Sequence, residues 1–426
     1  MESLLDISAR VIDDNAQLPT NRVTGELSEV APGVAMVEAF GHVVAFDAGD
    51  GLAVFDTSST VWGVKAADAL DQWRPKPVDT IVYTHGHFDH VGGASAFVES
   101  ARRRGQSRPR VVAHENVPRR FARYDQTNGY NAIINARQFA PTRQGATLPP
   151  QFFSDWVMPD TVFADRLRIS VGSLEFDLHH AKGETDDHLW AWVPQLRAIC
   201  SGDLITWVFP NAGNPQKVQR YPVEWARALR EMAALEPELL LPAHGLPIAG
   251  RERIGRVLGE IASALEHLVR ETLVLMNRGA RLDEILRTVD LPADTLDRPY
   301  LRPVYDEPEF VVRNIWRMYG GWYDGNPANL KPAPDAAIAA EVASLAGGPL
   351  ILAQRAQVLA ESGELRLACH LAEWAALAAG ATPEVHGIRA SVYTLRRDAE
   401  LSLMARGIFQ SAAADSRNAA GIEENA

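Results

Sequence analysis

Three histidines and an aspartate fall within six consecutive residues of this chain: His85, His87, Asp89 and His90, inside THGHFDHVGG at 84–93. The whole chain has 12 histidines, so the concentration is local. Imidazole nitrogens and carboxylate oxygens are the usual donors to borderline divalent ions. One turn cannot bring four such groups onto a single tetrahedral ion without strain. Shared between two ions about 3.5–4 Å apart, the spacing of two-metal hydrolytic sites, they fit. Two ions bridged by a carboxylate and a water would lower the pKa of that water towards neutrality and present hydroxide to an electrophile.

Such a turn needs rigid support, and the surrounding residues predict it. DTIVYT (79–84) is a short apolar run that delivers the chain into the histidines, and Gly86, Gly92 and Gly93 make the turn tight. VAMVEAF, HVVAFDA and GLAVFDTS read as strands separated by Gly33, Gly41 and the pair Asp50-Gly51, the last of them ending on Asp56. VWGVKAADALDQW has apolar residues at helical spacing and stops before Pro75, a second helix is expected from Gly93, and RVVAHE (110–115) reads as the next strand. Pro118–Pro150 is Arg- and Asn-rich and weakly patterned, which reads as a long functional loop. Strands return at LRISVG, LEFDLHHA, LWAWVP, RAICSGD and PELLLPAHG. Strands alternating with helices predict a layered α/β architecture. After Gly250 no strand is convincing: RIGRVLGEIASALEHLVRETLVLMN is a helix, and the Ala- and Leu-rich text from Asp335 reads as helices in antiparallel pairs. The expected organisation is a catalytic domain over residues 1–250, a helical domain over 251–412 and a frayed tail over 413–426.

THGHFDHVGG resembles the HxHxDH signature of the metallo-β-lactamase superfamily. The resemblance implies an αββα sandwich with its metals at one edge. Asp56 matches the aspartate that orients the metal loop, Asp203 in CSGD the carboxylate that bridges two metals, and His244 in LPAHG the last histidine ligand. Most members place a further histidine where this chain reads HHAKGETDDH, with Glu184 directly after the glycine of the turn. Glu184 is the favoured occupant, with His179, His180 and His188 as alternatives. The implied ligand set is His85, His87, Asp89, His90, Glu184, Asp203 and His244, holding two divalent ions, with zinc as the default and manganese or iron also compatible. Asp89, Asp203 and His188 form the expected catalytic set. Glutamate at this position, with an α-helical second half, resembles the alkyl sulfatase branch. IWRMYGGWYDGNPANLKPAP (315–334) is similar to the opening of that branch's helical dimerisation domain and implies a homodimer. The chain is expected to end before the sterol-carrier-like domain known in that branch, and GETDDH and Asp203 depart from the branch's usual segments.

A sulfate ester needs an anion pocket beside an apolar groove. The candidate anion binders lie in NVPRRFARYDQTNGYNAIINARQF (116–139): Arg119, Arg120, Arg123, Asn131 and Arg137, with Asn131 and Arg137 preferred for their apolar neighbours. Trp207, Phe209 and Trp225 are candidates for the apolar wall or the core, with Trp207 the one assigned to substrate. The net charge of −12 argues against nucleic acid or an anionic membrane surface as partner. Cys200 and Cys369 are too few for a disulfide framework. No run approaches the roughly 18 apolar residues of a membrane span, and the acidic N-terminus has no signal-type apolar run, so a cytoplasmic protein is expected. The expectation is a two-metal hydrolase of alkyl or aryl-alkyl sulfates, with a lactonase, carboxylic esterase or phosphoester hydrolase on the same scaffold as the alternative.

Overall fold

The computed structural model describes residues 2–139 and 152–422. Two sheets form the centre. Strands β1 (Leu27–Ala31), β2 (Val34–Val37), β3 (Val43–Asp47), β4 (Leu52–Phe55), β5 (Val78–Val82), β6 (Arg110–His114) and β7 (Thr161–Phe163) lie side by side in that order. The second sheet contains β8 (Arg166–Val171), β9 (Leu174–His180), β10 (Leu189–Val193), β11 (Ala198–Gly202), β12 (Leu239–Pro242) and β13 (Ile248–Ala249), ordered β13-β12-β11-β10-β9-β8. β4 to β7 run parallel, as do β11 and β12, while the remaining neighbours are antiparallel. The buried Phe46, Phe55 and Phe176 interlock between the sheets, with centroids 5.8 Å apart for Phe46–Phe55 and 5.3 Å for Phe46–Phe176. These edge-to-face contacts are the favoured geometry for aromatic rings.

Helices α1 (Leu4–Asp14), α2 (Thr60–Trp73), α3 (Phe88–Val91), α4 (Ala94–Arg103), α5 (Asn116–Gln126), α6 (Asn128–Gln138), α7 (Pro222–Ala234) and α8 (Arg251–Asn277) follow in chain order. α2 and α4 set Ala66, Leu70, Ala94 and Phe97 against Val37, Val54 and Ile81 of the first sheet. On the second sheet α8 buries Ile254, Val257, Leu258, Ile261, Leu265 and Leu268, a stripe of helical period, and packs on α7. The chain therefore has the expected αββα layers.

Next come α9 (Leu282–Thr288), α10 (Ala293–Leu296), α11 (Pro308–Gly320), α12 (Asp335–Ala346), α13 (Pro349–Glu361), α14 (Leu365–Leu377), α15 (Pro383–Asp398) and α16 (Leu403–Ala420). Two compact units emerge: one takes residues 2–128, 152–279 and 284–319, the other 129–139, 280–283 and 320–422. These units group the chain by contacts and not at the expected division of residue 250, with α8 and α11 counted in the sandwich unit. In the second unit alanines form the helix seams: Ala339, Ala343, Ala353 and Ala375 in one cluster, Ala356, Ala360, Ala368 and Ala372 in another. Small side chains let the helices pack closely. Among the described residues no single helix is long and apolar enough to cross a membrane, and only α12 with α13, bent by 87°, passes that test as a pair.

Two expectations are corrected. Residues 116–138 form α5 and α6 instead of a loop; α5 buries Val117, Arg120, Phe121 and Tyr124, an inward stripe that its arginines disguise. Residues 140–150 of the expected loop lie outside the described residues. Nor is the segment from 413 frayed up to Ala420, since α16 buries Ala413 and Ser416 and its Ala412 carbonyl accepts from Arg389.

Candidate metal centre

The parallel strands aim their carboxyl ends at one edge of the sandwich. Asp56 directly follows β4, β5 leads into the histidine turn, Asp203 directly follows β11, and β12 delivers His244. Glu184 enters from the turn between β9 and β10. α3 is a single turn whose backbone bond from His90 N–H to the His87 carbonyl (3.0 Å) fixes the spacing of the ligand-type side chains.

Two groups converge there. His85, His87, Glu184 and Asp203 each offer a ligand atom within 4.8 Å of the others, and so do Asp89, His90 and His244. Asp203 Oδ2 connects the groups: it lies 3.8 Å from His85 Nε2, 3.4 Å from His90 Nε2 and 3.5 Å from His244 Nε2. Asp89 Oδ2 is 3.3 Å from His244 Nε2 and 3.6 Å from His90 Nε2. His90 Nε2 and Asp203 Oδ1 are buried with no hydrogen-bond partner. Orphaned donors and acceptors of this kind are costly unless something else satisfies them, and an imidazole lone pair beside a carboxylate suits a divalent cation. The residues fit the metals that the sequence implies.

Electrostatics agree. Burial drives the His85 and His87 imidazoles towards their neutral, ligating form. At His90 and His244 burial acts in the same sense, but Asp203 and Asp89 overcome it and raise both. The same carboxylates would stabilise a cation. Burial pushes Glu184 up to about 7, with Arg220 opposing the rise.

A second layer orients these groups. Asp56 accepts from His90 Nδ1 (2.8 Å), Thr84 N–H (2.7 Å) and the Thr84 hydroxyl (2.7 Å), leaving His90 Nε2 facing the cluster. Buried Asp187 accepts from Gly86 N–H (3.2 Å) and from Arg120 Nε (2.6 Å). The turn at Glu38–His42 presses on the second group. A Cβ on Gly41 would lie 2.1 Å from the Asp89 carbonyl, and His42 Nε2 bonds the Gly245 carbonyl at 2.9 Å. Gly41→Ala is therefore expected to displace Asp89 and weaken metal binding at that group by about 10- to 100-fold, the usual effect of disturbing a ligand's support. Metal content measured against free zinc checks this, and an unchanged isotherm would show that Gly41 does not set the position of Asp89.

The alternatives to Glu184 stand elsewhere. His179 stacks on Trp190 (centroids 4.1 Å apart), His180 stacks on His114 (3.7 Å), and His188 Nε2 accepts the Asp203 N–H at 3.0 Å. His188, expected among the catalytic groups, is fully buried and positions Asp203 from behind. Trp207, assigned to substrate from the sequence, is buried, at a φ of 57°, and its Nε1 donates to the Leu246 carbonyl (2.7 Å), so it braces the His244 turn. Phe209 and Trp225 are core. Arg120 is engaged by Asp187, and Arg119 donates to Asn116 Oδ1. Arg123 lies over the Tyr124 ring (5.3 Å) and within Coulombic range of Lys217. Asn131 and Arg137 sit on α6, whose residues from 129 belong to the second unit.

Sequence reasoning missed Arg220, Asn211 and Lys217. Burial pushes the Lys217 ammonium down to about 7, although Glu184 and Asp89 within Coulombic range favour its charge. All three lie in a stretch between β11 and α7 that has neither helical nor strand periodicity, and only that absence of pattern could have marked it.

Residues 37–244 match the family model of the metallo-beta-lactamase superfamily, and residues 281–419 match that of alkyl sulfatase dimerisation. A linear primary-alkylsulfatase of Pseudomonas sp. (strain ATCC 19151) is 28% identical over 338 residues, covering 75% of this chain and 62% of that protein. An (R)-specific secondary-alkylsulfatase of Pseudomonas sp is 26% identical over 416 residues, covering 88% and 60%. The chain thus spans less than two thirds of the length of these relatives. The solved structure of the stereoselective inverting sec-alkylsulfatase Pisa1 from Pseudomonas sp. superimposes with a TM-score of 0.81 at 23% identity, over 92% of this chain and 66% of that one. That likeness is one of fold.

Proposed function

We infer the chemistry of this chain from the family to which it belongs: it is a member of the metallo-β-lactamase superfamily with an alkyl sulfatase dimerisation region behind the hydrolase fold. The reading is a metal-dependent hydrolase that splits alkyl or aryl-alkyl sulfate esters into alcohol and sulfate. The observation that carries it is Asp203 Oδ2, which faces His85, His90 and His244 together and so joins the two groups of ligand atoms. The alkylsulfatase names of the relatives support the substrate class.

In this reading His85, His87 and Glu184 would hold one divalent ion and Asp89, His90 and His244 a second, with Asp203 available to both groups. Bound there, such ions activate water as a nucleophile and offset charge on the departing oxygen. The chain's own residues prepare that chemistry. Asp56 holds His90 in the tautomer whose Nε2 faces inward, and His188 fixes the backbone of Asp203. Arg123, and Lys217 when protonated, would supply positive charge that draws a sulfate monoester towards the centre. Zinc is the metal of first choice for this nitrogen- and oxygen-donor set, with manganese and iron compatible, and the helical region supports a homodimer.

Release of inorganic sulfate from primary and secondary alkyl sulfates tests the reading. Zinc-loaded protein is expected to release sulfate, and His87→Ala to lose at least about 100-fold of that activity. A fully metallated protein that leaves every alkyl sulfate intact would overturn the substrate assignment and direct the search to lactones, carboxylic esters and phosphoesters.

A further inference from the structure

Glu184 is a buried carboxylate, 5% exposed, and its Oε1 lies 3.6 Å from His87 Nδ1. The same oxygen takes Arg220 Nη1 at 2.8 Å and Asn211 Nδ2 at 2.5 Å, and Arg220 Nη1 also reaches the Glu184 main-chain carbonyl at 2.5 Å. Arg220 is only 2% exposed. A guanidinium cannot lose its proton, so burying it demands a fixed counter-charge.

The surrounding chain is built to hold Arg220 there. Asn314 on α11 donates from Nδ2 to the carbonyls of Arg220 (2.9 Å) and Ala212 (2.8 Å), while its Oδ1 accepts from Gln219 Nε2 (3.0 Å) and Arg220 N–H (3.4 Å). Asp306 accepts the Gly213 N–H at 2.6 Å, and a Cβ on Gly213 would stand 2.2 Å from the Phe310 backbone. Tyr221 N–H closes the far end on the Gly183 carbonyl at 3.0 Å, next to Glu184 itself. A stretch without helix or strand is thus tied at both ends, and what it delivers is one buried positive charge onto one ligand carboxylate.

We propose that Arg220 is a positioning residue that cancels the charge of Glu184, so that the pair meets a metal ion as a ligand of net zero charge, as an imidazole would. The inference rests on the metal-hydrolase reading above. It sets the charge of the loaded centre: with Arg220 present, a carboxylate ligand leaves the centre as positive as a neutral ligand would, which suits a singly charged sulfate ester. Glu184→His alone should therefore be harmful, because the new imidazole leaves Arg220 buried beside the cations without its counter-charge. Arg220→Met alone should leave the metals in place, since it removes a positive charge from their surroundings, but it should weaken anion binding.

The test is zinc stoichiometry and affinity, with inorganic sulfate binding to the zinc-loaded protein as second readout, in wild type, Glu184→His, Arg220→Met, Arg220→Lys and Glu184→His/Arg220→Met. Glu184→His is expected to bind the first ion on the order of 10- to 100-fold more weakly, and the double variant to recover it. Arg220→Met should keep two ions and bind sulfate about tenfold more weakly, as expected for a unit charge lost at short range, while Arg220→Lys stays near wild type in both. A double variant no better than Glu184→His overturns the proposal, as does loss of metal in Arg220→Met; the second comparison holds even if Glu184→His does not fold. A wild type that binds no zinc would instead remove the metal-hydrolase reading beneath it.

Discussion

Asp203→Ala is expected to abolish hydrolysis, by well over the roughly 100-fold that loss of an outer support costs, and to leave the chain with fewer than two ions. Asp203 is the carboxylate that faces both ligand groups, and its charge is held well below the ordinary carboxylate range by His90 and His244 in spite of its burial. Its removal takes away the one carboxylate that faces both groups, and leaves Asp89 beside His90 and His244 and Glu184 beside His87, each in its own group. The fold should survive, because the Asp203 main-chain bond to His188 does not use the side chain. Asp203→Asn sharpens the test: it keeps the volume and removes the charge, so it is expected to fail nearly as badly. Steady-state turnover, metal content and near-UV circular dichroism on both variants check this. Activity retained in Asp203→Asn would show that the charge joining the two groups is not needed.

Arg120→Leu is expected to have the largest effect on stability. Arg120 is 4% exposed and Asp187 is fully buried, and the guanidinium also binds Asp186. Removing one member of a buried pair leaves the other charged and unpaired, which costs about 3–5 kcal/mol. The melting midpoint should fall by roughly 6–15 °C. Metal binding should weaken as well, since Asp187 holds the Gly86 N–H in the turn between His85 and His87. The pH dependence has a definite sign. Burial alone would raise the pKa of Asp187, but Arg120 overrides it and holds the carboxyl below the usual range. A folded pKa below the unfolded one contributes stability that is full above about pH 4 and is lost as the pH falls through the folded value. In Arg120→Leu that contribution is gone, so the gap to wild type should narrow as the pH is lowered from 7 towards 3. Urea unfolding across that range measures the gap, and one independent of pH would mean that Asp187 is not charged in the native state.

The contrast between these two residues shows what could be read from sequence. Asp203, His244 and the histidine turn each follow an apolar run ending in polar residues, so strand, strand end and ligand lie within a few positions of one another. Glu184 was legible because Gly183 marks its turn. The layered α/β architecture followed for the same reason, since alternation of strands and helices is a local pattern; the αββα sandwich was implied by the resemblance of THGHFDHVGG. The burial of Arg120 is not legible because its partner Asp187 is 67 residues away, and nothing local distinguishes a buried arginine from the solvated Arg119 beside it. The bracing role of Trp207 is not legible because its tie to Leu246 spans 39 residues and depends on a left-handed backbone conformation. Arg220 and Asn314 stand 94 residues apart, and their bond places α11 in the sandwich unit although its sequence reads as the start of the helical half. Residues of the candidate ligand set are legible when a strand carries them to the edge; the groups that hold those side chains in place are set by packing between distant segments.

Two adjacent ion sites that share one carboxylate should fill together, and titration of the metal-free chain with zinc, followed by calorimetry and by direct metal analysis, measures this. Two ions per chain are expected, with the second lost or much weakened in Asp203→Ala. A single ion per chain, or two ions unaffected by Asp203→Ala, would contradict the shared centre.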